Sequence, residues 1–584
     1  MGNDRIDVQY TPGESVFYLE TPFRYKDDVK SIGGIWDTSK RKWKFAVDLN
    51  IWEDVKRKFG GEGKLFAKKS FVKEIERIKT QQEEFFRLRD LAVEDNPVDY
   101  EVNGISLSGK NPLFNYQKWG VKCCLQVGDG FLIGDQPGLG KSIQALSIAI
   151  QRKNEGLINN CLIVCLASLK YNWLAEIEKF TKEKVLVVDG TAAERRKKWV
   201  AEGYFFKIVN YEMIVQDLFV PNESKYKKKF KSKKTLETEE IKFRKYIRSQ
   251  FDFIVVDEIH AIKSHDSQRT EALKQLKSKY RLGLSGTPID GKLEELHSIF
   301  EFLKPGLFEN KSRFLERHAI FDAFGSVRAY IKVQEVRDKI LPYYLRRLKE
   351  KVLHDLPPKL FKDVYVELDK TEYAIYKDLV KGAHEITEED QAATRILRAR
   401  QFLDFPELLD MRNKSNKFLA LRDLLEELID ENHEKVIIFT QYKQVLDLIL
   451  FNLREKYQCL QIHGDVDTKD RVEIVNKFNA DQAYPILIGT DAMSTGLNIG
   501  GANAVIHFED NFSPAIMQQR NDRAHRATTR HTVTVYRFVT KNTIEERVRK
   551  VLGEKSELNN SVLDENCTEF GVSSLTNLDL LKYL

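Results

Sequence analysis

Short apolar runs alternate with amphipathic stretches along most of this chain, in two separate series. The first opens at Phe131 and continues through residues 161–167, 184–188, 206–210, 251–256 and 281–284. The second runs through residues 435–440, 460–463, 485–490, 504–508 and 533–538. Apolar runs of four to eight residues separated by helical spacing predict buried strands joined by helical crossovers. Each series therefore predicts a parallel α/β sheet, the first with its ligand at the carboxyl ends of its strands and the second without a glycine-lysine loop of its own. Ahead of them, residues 17–23 and 32–45 read as short strands around a polar turn, and residues 49–59 as a helix, together a small α+β module. The charged run over 68–91 has helical spacing and predicts a connecting helix. Residues 290–420, rich in Leu, Glu, Lys and Arg, read as mostly helical. The resulting division is an accessory module over 1–65, a helical linker over 66–100 and a first lobe over 101–310. A helical insertion over 311–410, a second lobe over 411–550 and a tail over 551–584 complete it.

Chemistry concentrates where these strands end. The first apolar run breaks into Gly134-Asp-Gln-Pro-Gly-Leu-Gly-Lys-Ser142 and leads into a helical stretch. A strand delivering glycines to a helix N-terminus surrounds phosphates with backbone N–H groups. Gly138, Leu139 and Gly140 form that cradle, Lys141 can reach the outer phosphates and the Ser142 hydroxyl suits Mg²⁺. The strict pattern has glycine six residues before the lysine. Here that position is Asp135, and Pro137 withdraws one backbone donor. The run over 251–256 leads into Asp257-Glu258-Ile-His260, where Asp257 can hold Mg²⁺ and Glu258 can orient or deprotonate an attacking water. Ser285-Gly-Thr287-Pro, at the end of the next strand, places hydroxyls to sense the phosphate. Gln117, just ahead of the loop, can offer one acceptor and one donor to adenine. In the second series, Gln519-Arg-Asn-Asp-Arg523-Ala-His-Arg526 reads as a helix with Arg523 and Arg526 on one face, able to reach a γ-phosphate.

Composition bounds the rest. With 584 residues, 42% hydrophobic and 31% charged, the chain can build several cores, and no apolar run of membrane-spanning length or secretory leader stands out. A cytoplasmic protein in a bacterial or viral setting, or a nuclear one in a eukaryote, is expected, with no membrane partner. The six cysteines are irregularly spaced and predict reduced, buried thiols. A net charge of +6 says little about partners, but seven lysines between Lys225 and Lys234 suit either phosphate backbones or a solvated loop. Three of the six tryptophans, Trp36, Trp43 and Trp52, lie in the first sixty residues among basic side chains. They read either as core of a small module or, for Trp36 and Trp43, as a stacking platform for nucleic acid.

Together, Tyr116-Gln117, Gly138-Leu-Gly-Lys-Ser142, Asn172-Trp173, Asp257-Glu-Ile-His260, Ser285-Gly-Thr-Pro288, Leu345-Arg-Arg, Asp355-Leu-Pro-Pro-Lys359, Thr495-Gly-Leu-Asn498 and the arginine segment resemble the superfamily 2 helicases. More narrowly, residues 111–550 resemble the Swi/Snf branch of ATP-dependent double-stranded DNA translocases. The resemblance implies two RecA-like lobes with parallel sheets, helical insertions between them, and ATP with Mg²⁺ as cofactors. It assigns Gln117 to adenine, Lys141 and Ser142 to phosphate and metal, and Asp257 and Glu258 to metal and water. Arg523 and Arg526, with Gln519, would complete the site from the second lobe. His260, Ser285, Thr287 and Thr495 would couple hydrolysis to motion, and Asn172 and Trp173 would lie near the DNA-facing side. Gln136, Met493-Ser494 and Asp290-Gly291 depart from the family's usual residues. The amino-terminal module resembles the HARP domain of annealing-type members. The implied activity is DNA-stimulated ATP hydrolysis driving translocation on duplex, branched or protein-bound DNA, by a chain that is monomeric without DNA and recruited by a partner its residues do not identify. Strand separation, or an ATP-gated DNA clamp with little turnover, are the alternatives. An intact Glu258 and both arginines argue against the clamp.

Overall fold

The computed structural model describes residues 5–12, 16–38, 40–61, 64–107, 110, 112–219, 236–290, 292–322, 325–381, 389–411, 414–493, 497, 499–526 and 529–563. The run Lys225–Lys234, Thr495 and Cys567 lie outside them. The chain forms two compact units, one mainly of Met1–Gln136 and Gly140–Val352, the other mainly of Leu353–Asn560.

In the first unit a five-stranded sheet runs, in spatial order, Ile35–Asp37, Lys42–Ala46, Val16–Glu20, Ile6–Tyr10 and Leu65–Ala67. Its core is aromatic: Phe17, Trp43, Phe45, Trp52 and Phe71 pack together. Trp43 is only 7% exposed, whereas Trp36 is 47% exposed and meets the Trp43 ring edge-on at 5.1 Å. Trp43 thus fills the core and presents no face to a base, contrary to the stacking expectation, while Trp36 keeps one. The helix Lys69–Val93 belongs to two cores. Phe71 and Ile75 pack into the module, and Phe85, Leu88 and Ala92 into the next sheet's core, so the predicted linker is structural.

That next sheet has seven parallel strands in the order Tyr344–Leu345, Phe131–Ile133, Tyr280–Leu284, Phe253–Asp257, Cys161–Cys165, Phe206–Asn210 and Val185–Val187. The central strands are buried along nearly their whole length, as a sheet covered on both faces requires. Tyr280–Leu284 lies between the strand that feeds the glycine loop and the strand that ends in Asp257. Three adjacent carboxyl ends therefore present the loop, Ser285 and the Asp257-Glu258 pair side by side. The second unit holds six parallel strands in the order Lys359–Val366, Val533–Thr540, Ala504–His507, Val436–Phe439, Ile486–Gly489 and Cys459–Ile462.

Two of these strands lie in the stretch read as mostly helical. Tyr344–Leu345 is only two residues long, and Lys359–Val366 is an edge strand with most of its side chains exposed, so neither shows a buried apolar run. A short antiparallel pair, Ala319–Phe321 with Val327–Tyr330, adds a third departure. Among the described residues, no helix is long and apolar enough to cross a membrane. Cys123, Cys124, Cys161 and Cys165 are buried.

If Trp43 is core and Trp36 is not, Trp43→Ala will destabilise the module by about 3–5 kcal/mol and Trp36→Ala by about 1 kcal/mol or less. Limited proteolysis and chemical denaturation of the full chain measure both; equal effects would contradict this packing.

Candidate nucleotide site

Gly138 and Gly140 take φ values of +91° and +71°, and Gly140 caps the helix Lys141–Asn154. The positive φ is what requires glycine at Gly140, and a Cβ there would also displace Gln117 Nε2. Lys141 Nζ donates to the Asp135 carbonyl at 2.8 Å, arching over the loop. Ser142, in the first helical turn, is partly exposed. Gln117 is buried; its Oε1 accepts from Phe114 N at 3.0 Å and closes the first turn of the helix Asn115–Val127.

The acidic pair is held from several sides. Asp257 Oδ1 accepts from Glu258 N at 3.0 Å, and Oδ2 accepts the Trp173 indole N–H at 2.8 Å. Tyr211 OH donates to the Asp257 carbonyl at 2.6 Å. Glu258 sits in the left-handed region, with φ 47° and ψ 53°, a conformation that an acidic residue rarely adopts without support from its surroundings. Burial and then the neighbouring Glu258 charge raise the Asp257 pKa, opposed by the Trp173 hydrogen bond and the charge of Lys141. A cation would relieve that repulsion. The Ser142 hydroxyl and Asp257 carboxylate are the hard oxygen donors that Mg²⁺ takes, so this donor set fits the metal.

His260 Nδ1 lies 3.3 Å from Glu258 Oε2 and 3.2 Å from Ser285 Oγ, which in turn accepts from Thr287 N at 3.2 Å. Burial lowers the His260 pKa, but the hydrogen bond and charge of Glu258 more than offset it and the net shift is upward. A polar chain thus runs from Glu258 to Thr287. Asp290 pairs with Lys263 at 3.1 Å. Trp173 is buried on Asp257, which places it at the acidic pair rather than on a DNA-facing surface. Its neighbour Asn172 is partly exposed.

In the second unit the helix Pro514–Ala524 starts with Pro514 in its first turn and with Ser513 capping the Ile516 N–H. It ends before Arg526, because His525 turns extended and binds the Pro357 carbonyl at 2.6 Å. The expectation of one helical face is therefore corrected. Arg523 and Arg526 converge by another route, both donating to the Leu497 carbonyl, at 3.1 and 2.5 Å. Gln519 is buried one turn earlier, where its carbonyl accepts from Arg523 Nε at 3.3 Å.

The model of the SNF2-related domain matches residues 115–418, and that of the helicase conserved C-terminal domain matches residues 416–528. The chain belongs to the SNF2-related family of superfamily 2 ATP-dependent helicases. Among its relatives, an uncharacterised ATP-dependent helicase of Mycoplasma pneumoniae is 31% identical over 555 residues, covering 91% of this chain and 50% of the relative. A Bacillus subtilis protein provisionally named ATP-dependent helicase/translocase YwqA is 28% identical over 515 residues, covering 84% of this chain and 53% of the relative. The chain thus spans about half the length of these relatives. A solved Sulfolobus solfataricus SWI2/SNF2 ATPase core in complex with dsDNA is 26% identical, covering 80% of this chain and 94% of that one, with a TM-score of 0.37.

In this SNF2-related chain the loop is fixed by Arg347, which the sequence shows only as part of the Leu345-Arg-Arg motif, with no role attached. Arg347, fully buried, pairs with Asp135 through Nε to Oδ1 at 2.9 Å and Nη2 to Oδ2 at 2.5 Å. Its Nη2 also donates to Gln144 Oε1 at 2.6 Å, and its Nη1 to the Tyr116 carbonyl. Gln144 Nε2 returns to Asp135 Oδ2 at 3.0 Å. One guanidinium thus joins the strand before the loop, the helix after it and the helix carrying Gln117. Gly120 leaves the room, since a Cβ there would strike Gln144 and Arg347. The available signal was a carboxylate, Asp135, directly following a buried apolar run.

Arg347→Met strands the Asp135 charge and is expected to destabilise the unit by about 3–5 kcal/mol and to abolish ATP binding. Asp135→Leu with Arg347→Met should recover most of that stability. Denaturation with fluorescent-nucleotide titration reads both; a double variant no more stable than the single one would contradict a charge-pairing role.

Proposed function

We propose that the protein is a DNA-stimulated ATPase that translocates on double-stranded DNA and so remodels branched or protein-bound DNA. The observation that carries this reading is the convergence, at three neighbouring strand ends, of Lys141, the Asp257-Glu258 pair and the His260 to Thr287 chain. A protein that only bound nucleotide would have no use for a carboxylate held in a strained backbone conformation beside the metal ligands.

In this reading ATP enters with its phosphates on the Gly138–Gly140 cradle and the N-terminus of the following helix. Lys141 exchanges the Asp135 carbonyl for the outer phosphates, and Gln117 meets the adenine. Ser142 and Asp257 would hold Mg²⁺, which when bound neutralises charge on the phosphate oxygens. Glu258 orients a water and accepts its proton as the oxygen attacks the γ-phosphorus, giving ADP and inorganic phosphate. Arg523 and Arg526, kept together by the Leu497 carbonyl and backed by Gln519, supply positive charge to the γ-phosphoryl group as it transfers. His260 stands between Glu258 and Ser285, so a change in the Glu258 charge is felt at Thr287. Asn172, Thr495 and the exposed face of Trp36 are assigned to nucleic-acid contact and coupling. The SNF2-related membership and the helicase/translocase name of the Bacillus subtilis relative support ATP-driven translocation, and duplex DNA as the track is part of the proposal.

Steady-state hydrolysis with and without duplex DNA tests the catalytic assignments. Glu258→Gln should bind ATP normally and lose turnover. Arg523→Ala should slow turnover by about 10³–10⁵-fold with nucleotide affinity nearly unchanged. Full turnover in Glu258→Gln would remove it as the base.

A further inference from the structure

Away from the nucleotide site, two imidazoles and a carboxylate meet in the first unit. His297 and Glu301 stand four apart on the helix Leu293–Leu303 and so share a face. His265 comes from the segment following Ile259–Ile262, seven residues after Glu258. One ring nitrogen of each histidine and one Glu301 oxygen all lie within 4.8 Å of one another. His265 Nε2 and His297 Nδ1 are 3.0 Å apart, and Glu301 Oε2 is 3.3 Å from His265 Nδ1.

We infer that His265, His297 and Glu301 form a transition-metal site, of the kind that takes Zn²⁺ through two imidazole nitrogens and one carboxylate with the fourth position open to water. The ligand types are those of a three-ligand zinc site, and ligands at about 2.0–2.1 Å in a tetrahedron stand roughly 3.4 Å apart. His265 Nε2 and His297 Nδ1 are already near that spacing, while the Glu301 oxygen at 3.3 Å faces the other nitrogen of the His265 ring. His297 is prepared for the role: its Nε2 faces the Glu309 carbonyl at 2.6 Å, which fixes the proton there and leaves the lone pair on Nδ1, the nitrogen that meets His265 Nε2. It is 2% exposed, and Phe308 and Phe314 wall the ring.

Lys274 is the competitor. Its ammonium contacts Glu301 Oε2 and lies 3.4 Å from His265 Nδ1, so it supplies the positive charge that a dication would replace. Its side chain is 20% exposed and has a way out to solvent. A metal in its place would tie the segment after the Asp257-Glu258 pair to the helix that follows the Ser285 turn. Two elements downstream of the catalytic motifs would then move as one body.

Cobalt(II) is the probe, because its visible absorption separates a tetrahedral nitrogen and oxygen site from an octahedral oxygen site such as the one beside the glycine loop. The full chain, stripped with chelator and free of nucleotide, is titrated with Co²⁺ and back-titrated with Zn²⁺. One equivalent of tetrahedral Co²⁺ is expected, displaced by Zn²⁺, lost in His265→Asn and in His297→Gln, and bound at least tenfold more tightly in Lys274→Met. His265→Asn alters a loop side chain and guards against misfolding of the buried His297 variant. Absence of tetrahedral absorption in both the native chain and Lys274→Met would leave a hydrogen-bonded cluster held by Lys274 and overturn the proposal. So would a signal that survives His265→Asn.

Discussion

A carboxylate fully removed from water has to be paired, and the pairing of Asp135 with Arg347 sets the geometry on which the nucleotide site depends. The pair fixes the end of the loop strand. Through Gln144 it also fixes the helix that begins at Lys141, and through the Tyr116 carbonyl the helix that carries Gln117. Backbone bonds continue the same tie. Gly134 N donates to the Leu345 carbonyl at 2.7 Å and Gln136 N to the Arg347 carbonyl at 3.1 Å. The two-residue strand Tyr344–Leu345 exists to deliver Arg347 to this point.

This arrangement alters the meaning of two departures from the usual loop. Asp135, which replaces a glycine of the strict pattern, is the anchor of the loop rather than a blemish in it. The Gln136 side chain is taken up by the segment after Arg347: its Oε1 accepts from Lys349 N at 2.8 Å. A glutamate carboxylate could accept the same bond. The amide therefore keeps the hydrogen bond and gives up only a charge that the pairing does not use.

The parallel sheets were legible because their strands are buried on both faces and read as unbroken apolar runs, such as Cys161–Cys165 and Val436–Phe439. The loop, the Asp257-Glu258 pair and Ser285 were legible because each follows such a run directly. Long-range pairings were not. Trp173 on Asp257, Tyr211 under the acidic pair and Arg347 on Asp135 bring together residues 84, 46 and 212 positions apart, and no local pattern encodes them. One edge strand of each large sheet, Tyr344–Leu345 and Lys359–Val366, was missed for a related reason. Lys359–Val366 carries exposed Leu360, Phe361 and Tyr365 among charged residues, so its pattern is neither a buried run nor a clean alternation. The helix end at Ala524 depends on His525 finding the Pro357 carbonyl, a contact 168 residues away.

The central claim is that hydrolysis at this site drives movement along duplex DNA. Displacement of a third strand from a DNA triplex, measured beside separation of a plain duplex with the same ends, tests it most directly. The account predicts ATP-dependent triplex displacement by the native chain, none by Glu258→Gln, and little duplex separation. Hydrolysis stimulated by duplex DNA with no triplex displacement would contradict it.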